Sequence, residues 1–328
     1  MPIRKYWLPL VCCASLILPL LHASGESSAA PGSQQQQRPP EDSPGKIKVV
    51  VELINLFAVV RDDKKRILGD LAQEEFRVFE DELEQKIAFF SRESKLPVTM
   101  GVLMDTSGSM ERILHAEQNA ASRFLARVMR KGDLAFVISF DSNVDLLSDM
   151  TEDHDRLERA IQSARVNAPS AMGPVQQRGG GTNLYDAIYL ACYDKLAGEF
   201  GRKAIVLLTD AEDTGSRKSL ENAIEAAQRT DTVLHVLFIE DVVGFGGGRP
   251  GVARKLAEET GGRMIGVSNE KDLERAFDQL SEELRTQYTL SYYPTNPVKD
   301  GKYRKVKVET TRKDTRVLTR KGYYASRN

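Results

Sequence analysis

The sequence has no excess of either charge with which to attract a polyanion. Its 46 lysines and arginines stand against 47 acids, a formal net charge of −1. No long block of basic residues is present either, so the simplest electrostatic route to a nucleic acid is closed. Cysteine is equally sparse. Of three in 328 residues, Cys12 and Cys13 lie in an N-terminal apolar stretch, and no small residue precedes them at its end as lipidation would require. Loss of that stretch leaves Cys192 alone, which forbids an intramolecular disulfide. Cys192 sits in LYDAIYLACYDKLA among apolar residues at helical spacing, the setting of a buried, inert thiol.

Histidine is no better supplied, with four in the chain. His22 belongs to the leader, His115 and His154 fall near helix starts where solvent reaches them, and His235 reads as a satisfied core residue in an apolar strand. H-E-x-x-H, G-x-S-x-G and the P-loop are all absent. A serine hydrolase would need a base beside its nucleophile, and no residue offers itself.

At the N-terminus, Arg4 and Lys5 precede LPLVCCASLILPLL, and His22-Ala23-Ser24-Gly25 provides small residues for cleavage. Residues 1–25 therefore read as an export signal. The apolar run is short for a membrane span, and Pro9 and Pro19 weaken it as a helix; an uncleaved anchor is the alternative, and membrane contact is expected only in that case. Residues 26–45, ESSAAPGSQQQQRPPEDSPG, cannot build a core and read as a disordered linker.

Residues 46–95 are strand-like. KVVVELINLFAVV alternates, RDDKKR suggests a hairpin, and FRVF, an acidic turn and KIAFF suggest a two-strand pair. Residues 286–328 repeat the texture in YTLSYYPTN, YRKVKVETTR and TRVLTRKGYYA. Neither flank has much core material alone, and together they are expected to close a small β-sandwich-like domain. Tyr288, Tyr292, Tyr293, Tyr303, Tyr323 and Tyr324 read there as core and cross-strand packing rather than a sugar platform.

Between the flanks, residues 96–285 change rhythm. VTMGVLM, LAFVISF, KAIVLLT, TVLHVLFIE and RMIGV alternate with amphipathic helical segments. Strands apolar throughout are parallel strands covered on both faces. The expected fold is α/β, a doubly wound, mostly parallel sheet flanked by helices.

Ligands of such sheets bind at the carboxyl ends of strands, near the point where strand order reverses. There the first strand ends in Asp105-Thr106-Ser107-Gly108-Ser109, and KAIVLLT ends in Asp210. A glycine-rich loop, RGGGTNLYDAI, carries Thr182 to a helix start. DTSGS alone would be an ordinary cap and turn. Three segments delivering short oxygen side chains to one sheet edge favour a metal. Oxygen donors suit a hard cation, Mg²⁺ above all, with Mn²⁺ and Ca²⁺ as alternatives. Gly246, Gly248 and Gly251 match G-x-G-x-x-G and Glu270 follows at a suitable distance. That segment trails a late strand and contains Pro250, so it reads as a loop beside the metal face, not a dinucleotide site.

Asp105-x-Ser107-x-Ser109, Thr182 in GGGTNLYDAI and Asp210 in VLLTDAED resemble the metal-ion-dependent adhesion site (MIDAS) of von Willebrand factor type A (VWA) domains. The flanks resemble a secreted bacterial subgroup in which such a domain is bracketed by strand-rich segments. The resemblance implies direct metal contact from Ser107 and Ser109, direct or water-mediated contact from Thr182, and contact mainly through water from Asp105 and Asp210. It implies an adhesion and protein-binding module, not an enzyme, whose partner presents an Asp or Glu carboxylate, with no small-molecule cofactor; the export signal places it as secreted, periplasmic or in the cell envelope. Ala211 departs from the glycine common in the family, and Glu212 and Asp213 add acids that would tighten the metal or discourage acidic partners. Two rival readings use the same site: a metal-dependent hydrolase, and an envelope structural protein with a purely structural ion.

Overall fold

The computed structural model describes residues 52–92, 96–166, 181–240 and 248–327. The expected leader (1–25), the linker (26–45), residues 46–51 and Gly246 lie outside them. The first flank supplies β1 (Ile54–Asp62), β2 (Phe76–Glu80), β3 (Leu83–Gln85) and β4 (Ile87–Ser91). The middle of the chain follows as β5 (Val98–Asp105), α1 (Leu114–Val128), β6 (Leu134–Phe140), β7 (Val144–Thr151) and α2 (His154–Ser163). Then come α3 (Leu184–Leu190), β8 (Arg202–Thr209), α4 (Leu220–Arg229), β9 (Thr232–Ile239), α5 (Pro250–Thr260), β10 (Met264–Val267) and α6 (Glu270–Arg285). The last flank gives β11 (Tyr288–Tyr292), β12 (Tyr303–Thr310), β13 (Thr315–Leu318) and β14 (Gly322–Tyr324).

The apolar runs of the middle segment form a six-stranded sheet in the order β10-β9-β8-β5-β6-β7. All its pairings are parallel except β6 with β7. Every residue of β5 and β8 is buried, because helices cover both faces. On one face Met100, Val102 and Met104 meet α1, α2 and α6, with the Phe124 and Phe277 rings 4.8 Å apart. On the other, Leu103, Ile205 and Leu207 meet α3, α4 and α5, and Cys192 is buried there. Burial pushes the Cys192 thiol up to about 12, the state of an inert residue. Gly101 has to be glycine, since a Cβ would stand 2.5 Å from the Phe136 ring. Local chemistry starts the helices where expected: Asp153, Ser219 and Asn269 side chains cap α2, α4 and α6, and Pro250 opens α5.

The flank strands form two four-stranded sheets, β13-β1-β11-β4 and β14-β12-β2-β3. Strands from opposite ends of the chain pair directly, β1 with β11 and β2 with β12, all antiparallel. Their facing sides share a core that includes Leu56, Val60, Phe76, Val78, Tyr288, Leu290, Tyr292, Val306 and Tyr323. Tyr292 and Tyr323 donate their hydroxyls to the buried Glu80 carboxylate at 2.7 and 2.9 Å.

Three local expectations are corrected. FRVF does not pair with KIAFF: β2 pairs with β3, and β4 crosses to β11 in the other sheet. The cause is the two-residue turn Asp81-Glu82, in which both residues have positive φ (44° and 70°). This turn matches the strand twist and returns the chain at once into Leu83. Likewise, TRVLTRKGYYA splits, with β13 on β1 and β14 on β12. His235 is a core residue, but it is not satisfied. Neither ring nitrogen has a hydrogen-bond partner among the described residues, and burial pulls its pKa down to about 4.

Candidate cation-binding site

The chain runs from β5 out to β6 and β7 on one side, then returns through α3 to β8 on the other. The order therefore reverses at β5, and the carboxyl ends of β5 and β8 lie side by side. Asp105, the last residue of β5, is fully buried. The Thr106 N–H donates to Phe140 O at 2.8 Å and holds the strand tip against β6. A 3-10 turn, Gly108–Met110, follows, pinned by the buried Met110. This turn brings the Ser107 and Ser109 hydroxyls to 3.1 Å from each other.

The same turn reaches across to β8. Ser109 Oγ donates to Asp210 Oδ2 at 2.7 Å, although 101 residues separate them. Asp105 accepts from the Ser107 N–H at 3.0 Å and from Thr209 Oγ1 at 2.6 Å. Asp105, Ser107, Ser109 and Asp210 thus form one hydrogen-bonded cluster. Its floor is buried at Asp105, while Ser109 is exposed. Thr182 is buried just ahead of α3 and is held by the loop that leaves Asp210. Its N–H donates to Thr214 Oγ1 at 3.0 Å, and its carbonyl accepts from the N–H groups of Thr214 and Gly215 at 3.1 and 3.2 Å. Among the described residues no hydrogen bond joins the Thr182 hydroxyl to the other four.

Several contributors are invisible to motif spacing. Thr209 both donates to Asp105 and accepts the Ala211 N–H at 2.9 Å. Ala211 is buried with φ at +58°, a left-handed conformation that glycine adopts more easily. Gly248 has φ +54°, and a Cβ there would stand 2.5 Å from Asp210 O. Arg249 N–H donates to that carbonyl at 2.8 Å. Gly248 and Arg249 therefore seat the tip of β8. Asp213 accepts from the Tyr185 N–H and from the Ser216 hydroxyl, at 3.2 and 2.5 Å, tying its loop to α3. Glu117, in the first turn of α1, is fully buried. The sequence signal that could have marked it is an acid at helical spacing among Leu114, Ala120, Ala121 and Phe124.

The electrostatics follow from burial. Desolvation pushes the Asp105 carboxyl up to about 7, against the hydrogen bonds from Ser107 and Thr209 and together with the charge of Asp210. Desolvation, then the charges of Asp105 and Asp210, hold Glu117 well above the usual carboxylate range. A cation beside these acids would relieve both effects. The donors are hydroxyls and carboxylates, which fit a hard divalent ion. Among the described residues no group of three or more His, Cys, Asp or Glu side chains is placed to hold a metal; the set assembled here has two carboxylates and depends on hydroxyls.

Residues 100–213 match the family model described as von Willebrand factor type A domain. The chain carries a VWA domain. It is 25% identical over 190 residues to calcium-activated chloride channel regulator 1 of Bos taurus, covering 55% of this chain and 18% of that protein. The chain spans under a fifth of the length of the curated relatives it matches. Among solved structures, proximal thread matrix protein 1 from the mussel byssus superposes with a TM-score of 0.50 at 14% identity. That match covers 63% of this chain and 51% of the byssus protein, a likeness of fold. The byssus protein has also been solved with a zinc-occupied MIDAS motif (13% identity, 59% of this chain and 49% of that one, TM-score 0.46). VWA domains are generally interaction modules. Among the described residues no helix is long and apolar enough to cross a membrane.

Proposed function

We propose that the protein is an exported binding module that holds a divalent cation, Mg²⁺ in the first place, at Asp105, Ser107, Ser109, Thr182 and Asp210. Through the ion it captures an Asp or Glu carboxylate of a protein partner. The observation that carries this reading is the convergence of Ser107, Ser109 and Asp210 into one cluster over the buried Asp105. Two carboxylates balance a divalent charge only formally, and water-mediated contact leaves the ion attractive to a further anion. The exposed Ser109 side is where a partner can approach. In this reading residues 46–95 and 286–328 form one β domain that supports residues 96–285, and residues 1–25 direct export.

The test compares the wild-type chain with a Ser107→Ala/Ser109→Ala double variant. Calorimetric titration with Mg²⁺ and Mn²⁺ should show uptake by the wild type alone, with unchanged circular dichroism. Pull-downs from envelope and culture fractions should show capture that chelator abolishes and the double variant lacks. Capture indifferent to chelator would defeat the adhesion reading, and a wild type that takes up no divalent ion would defeat the site itself.

A further inference from the structure

The acid in the first turn of α1 stands apart from every other buried acid. Glu117 is 0% exposed, yet neither of its carboxyl oxygens has a hydrogen-bond partner among the described residues. The other buried acids are all engaged. Glu80 receives two tyrosine hydroxyls, Glu283 pairs with Arg61 and Arg263, and Asp133 accepts the N–H groups of Val98 and Arg130 at 2.8 and 2.7 Å. Even the neighbouring Gln118 is satisfied, donating to the carbonyls of Ile161 and Ala164 at 2.9 Å each.

An unpartnered carboxyl in an apolar setting opposes folding, and a methionine or leucine of similar length would pack there without that penalty. Packing therefore does not account for Glu117. Its place in the fold does point to a role: Glu117 lies in the first turn of α1, the helix that follows the Gly108–Met110 turn carrying Ser109, and after burial itself the charges that raise its pKa are those of Asp105 and Asp210, the two carboxylates assigned to the ion.

We propose that Glu117 is an outer acid of the cation site, which strengthens cation binding and biases it toward ions of higher charge. This rests on the five-residue site proposed above. Among the described residues no hydrogen bond joins Glu117 to the other donors, and it acts through the field it shares with Asp105 and Asp210. The isolated burial of Glu117 makes the apo protein less stable and the loaded protein more so, and that opposition separates this role from a packing role.

The test uses the full chain and the variants Glu117→Gln and Glu117→Met, melted in chelator and titrated with Mn²⁺ and Tb³⁺. Both variants should melt at or above the wild-type temperature in chelator, since an orphaned acid has gone. Both should bind Mn²⁺ about tenfold more weakly, the scale on which outer-sphere partners act. Because Coulomb attraction grows with ion charge, the loss for Tb³⁺ should reach about thirtyfold. Unchanged Mn²⁺ affinity, or equal losses for the two ions, would overturn the inference, the latter by showing distortion instead of a lost charge. Lower melting temperatures for both variants in chelator would also overturn it. A wild type that binds neither ion refutes the underlying site and this inference with it, whereas wild-type binding with indifferent variants refutes this inference alone.

Discussion

Replacing Thr209 by valine is the sharpest probe of how the tip of β8 governs Asp105. Valine matches threonine in shape but lacks the hydroxyl, so the fully buried position keeps its packing. Two hydrogen bonds vanish together: the 2.6 Å donation to Asp105 and the 2.9 Å bond accepted from the Ala211 N–H. Neither partner can turn to water, since Asp105 and Ala211 are also buried. Each orphaned group costs about 1–3 kcal/mol. The expected loss is roughly 2–6 kcal/mol, a large share of the ~5–15 kcal/mol by which domains are stable. Urea unfolding in chelator at pH 7.5 should show a lower midpoint with an unchanged slope. Thr209→Ser, which keeps the hydroxyl and loses a methyl group, should cost only about 1 kcal/mol. The wiring is wrong if valine lies within about 0.5 kcal/mol of wild type, or if serine is as damaging as valine.

Away from the site, His235 should make the protein acid-sensitive. Its folded pKa of about 4 lies below the ordinary value of 6.5, so between these values the unfolded chain binds the extra proton. The contribution is complete above pH 6.5 and declines as the pH falls toward 4. At pH 5 the loss is roughly 2 kcal/mol. Denaturation of wild type and His235→Leu from pH 7 to 4.5 checks this by difference, and parallel curves would remove His235 as the cause. At Ala211, whose φ is +58° in a buried setting, glycine relieves about 1–2 kcal/mol of backbone strain. It forfeits about as much in methyl burial and unfolded-state entropy. Ala211→Gly should therefore stay within about 1 kcal/mol of wild type in thermal melts, while Ala211→Val should lose more than about 2 kcal/mol, because a branched side chain tolerates that φ poorly.

The features that could be read from the sequence are those that depend on repetition along the chain. KAIVLLT declares a covered parallel strand because all eight residues of β8 are buried, and continuous apolarity is the imprint of helices on both faces. The meeting of Ser109 with Asp210 could be anticipated for the same reason: both lie at the carboxyl ends of strands, and β5 and β8 are neighbours in the sheet. Strand partnership is different. KIAFF alternates like any strand, but nothing in its composition says that Asp81-Glu82 will take a glycine-like turn and leave β4 to pair with β11. His235 and Glu117 go further beyond spacing. Both were visible as polar residues in apolar segments, where the bland expectation is a hidden partner, and in both that partner is missing among the described residues. Hydrogen-bond satisfaction depends on groups brought together from distant segments, so periodicity carries no record of it. The two cases then diverge by position. His235 lies within β9, with the Glu283 and Arg263 charges acting on it, and its deficit bears on stability. Glu117 lies in the helix turn that follows the serines, with the charges of the two acids at the strand ends raising its pKa further, so under the proposal above the same kind of deficit there is coupled to the ion.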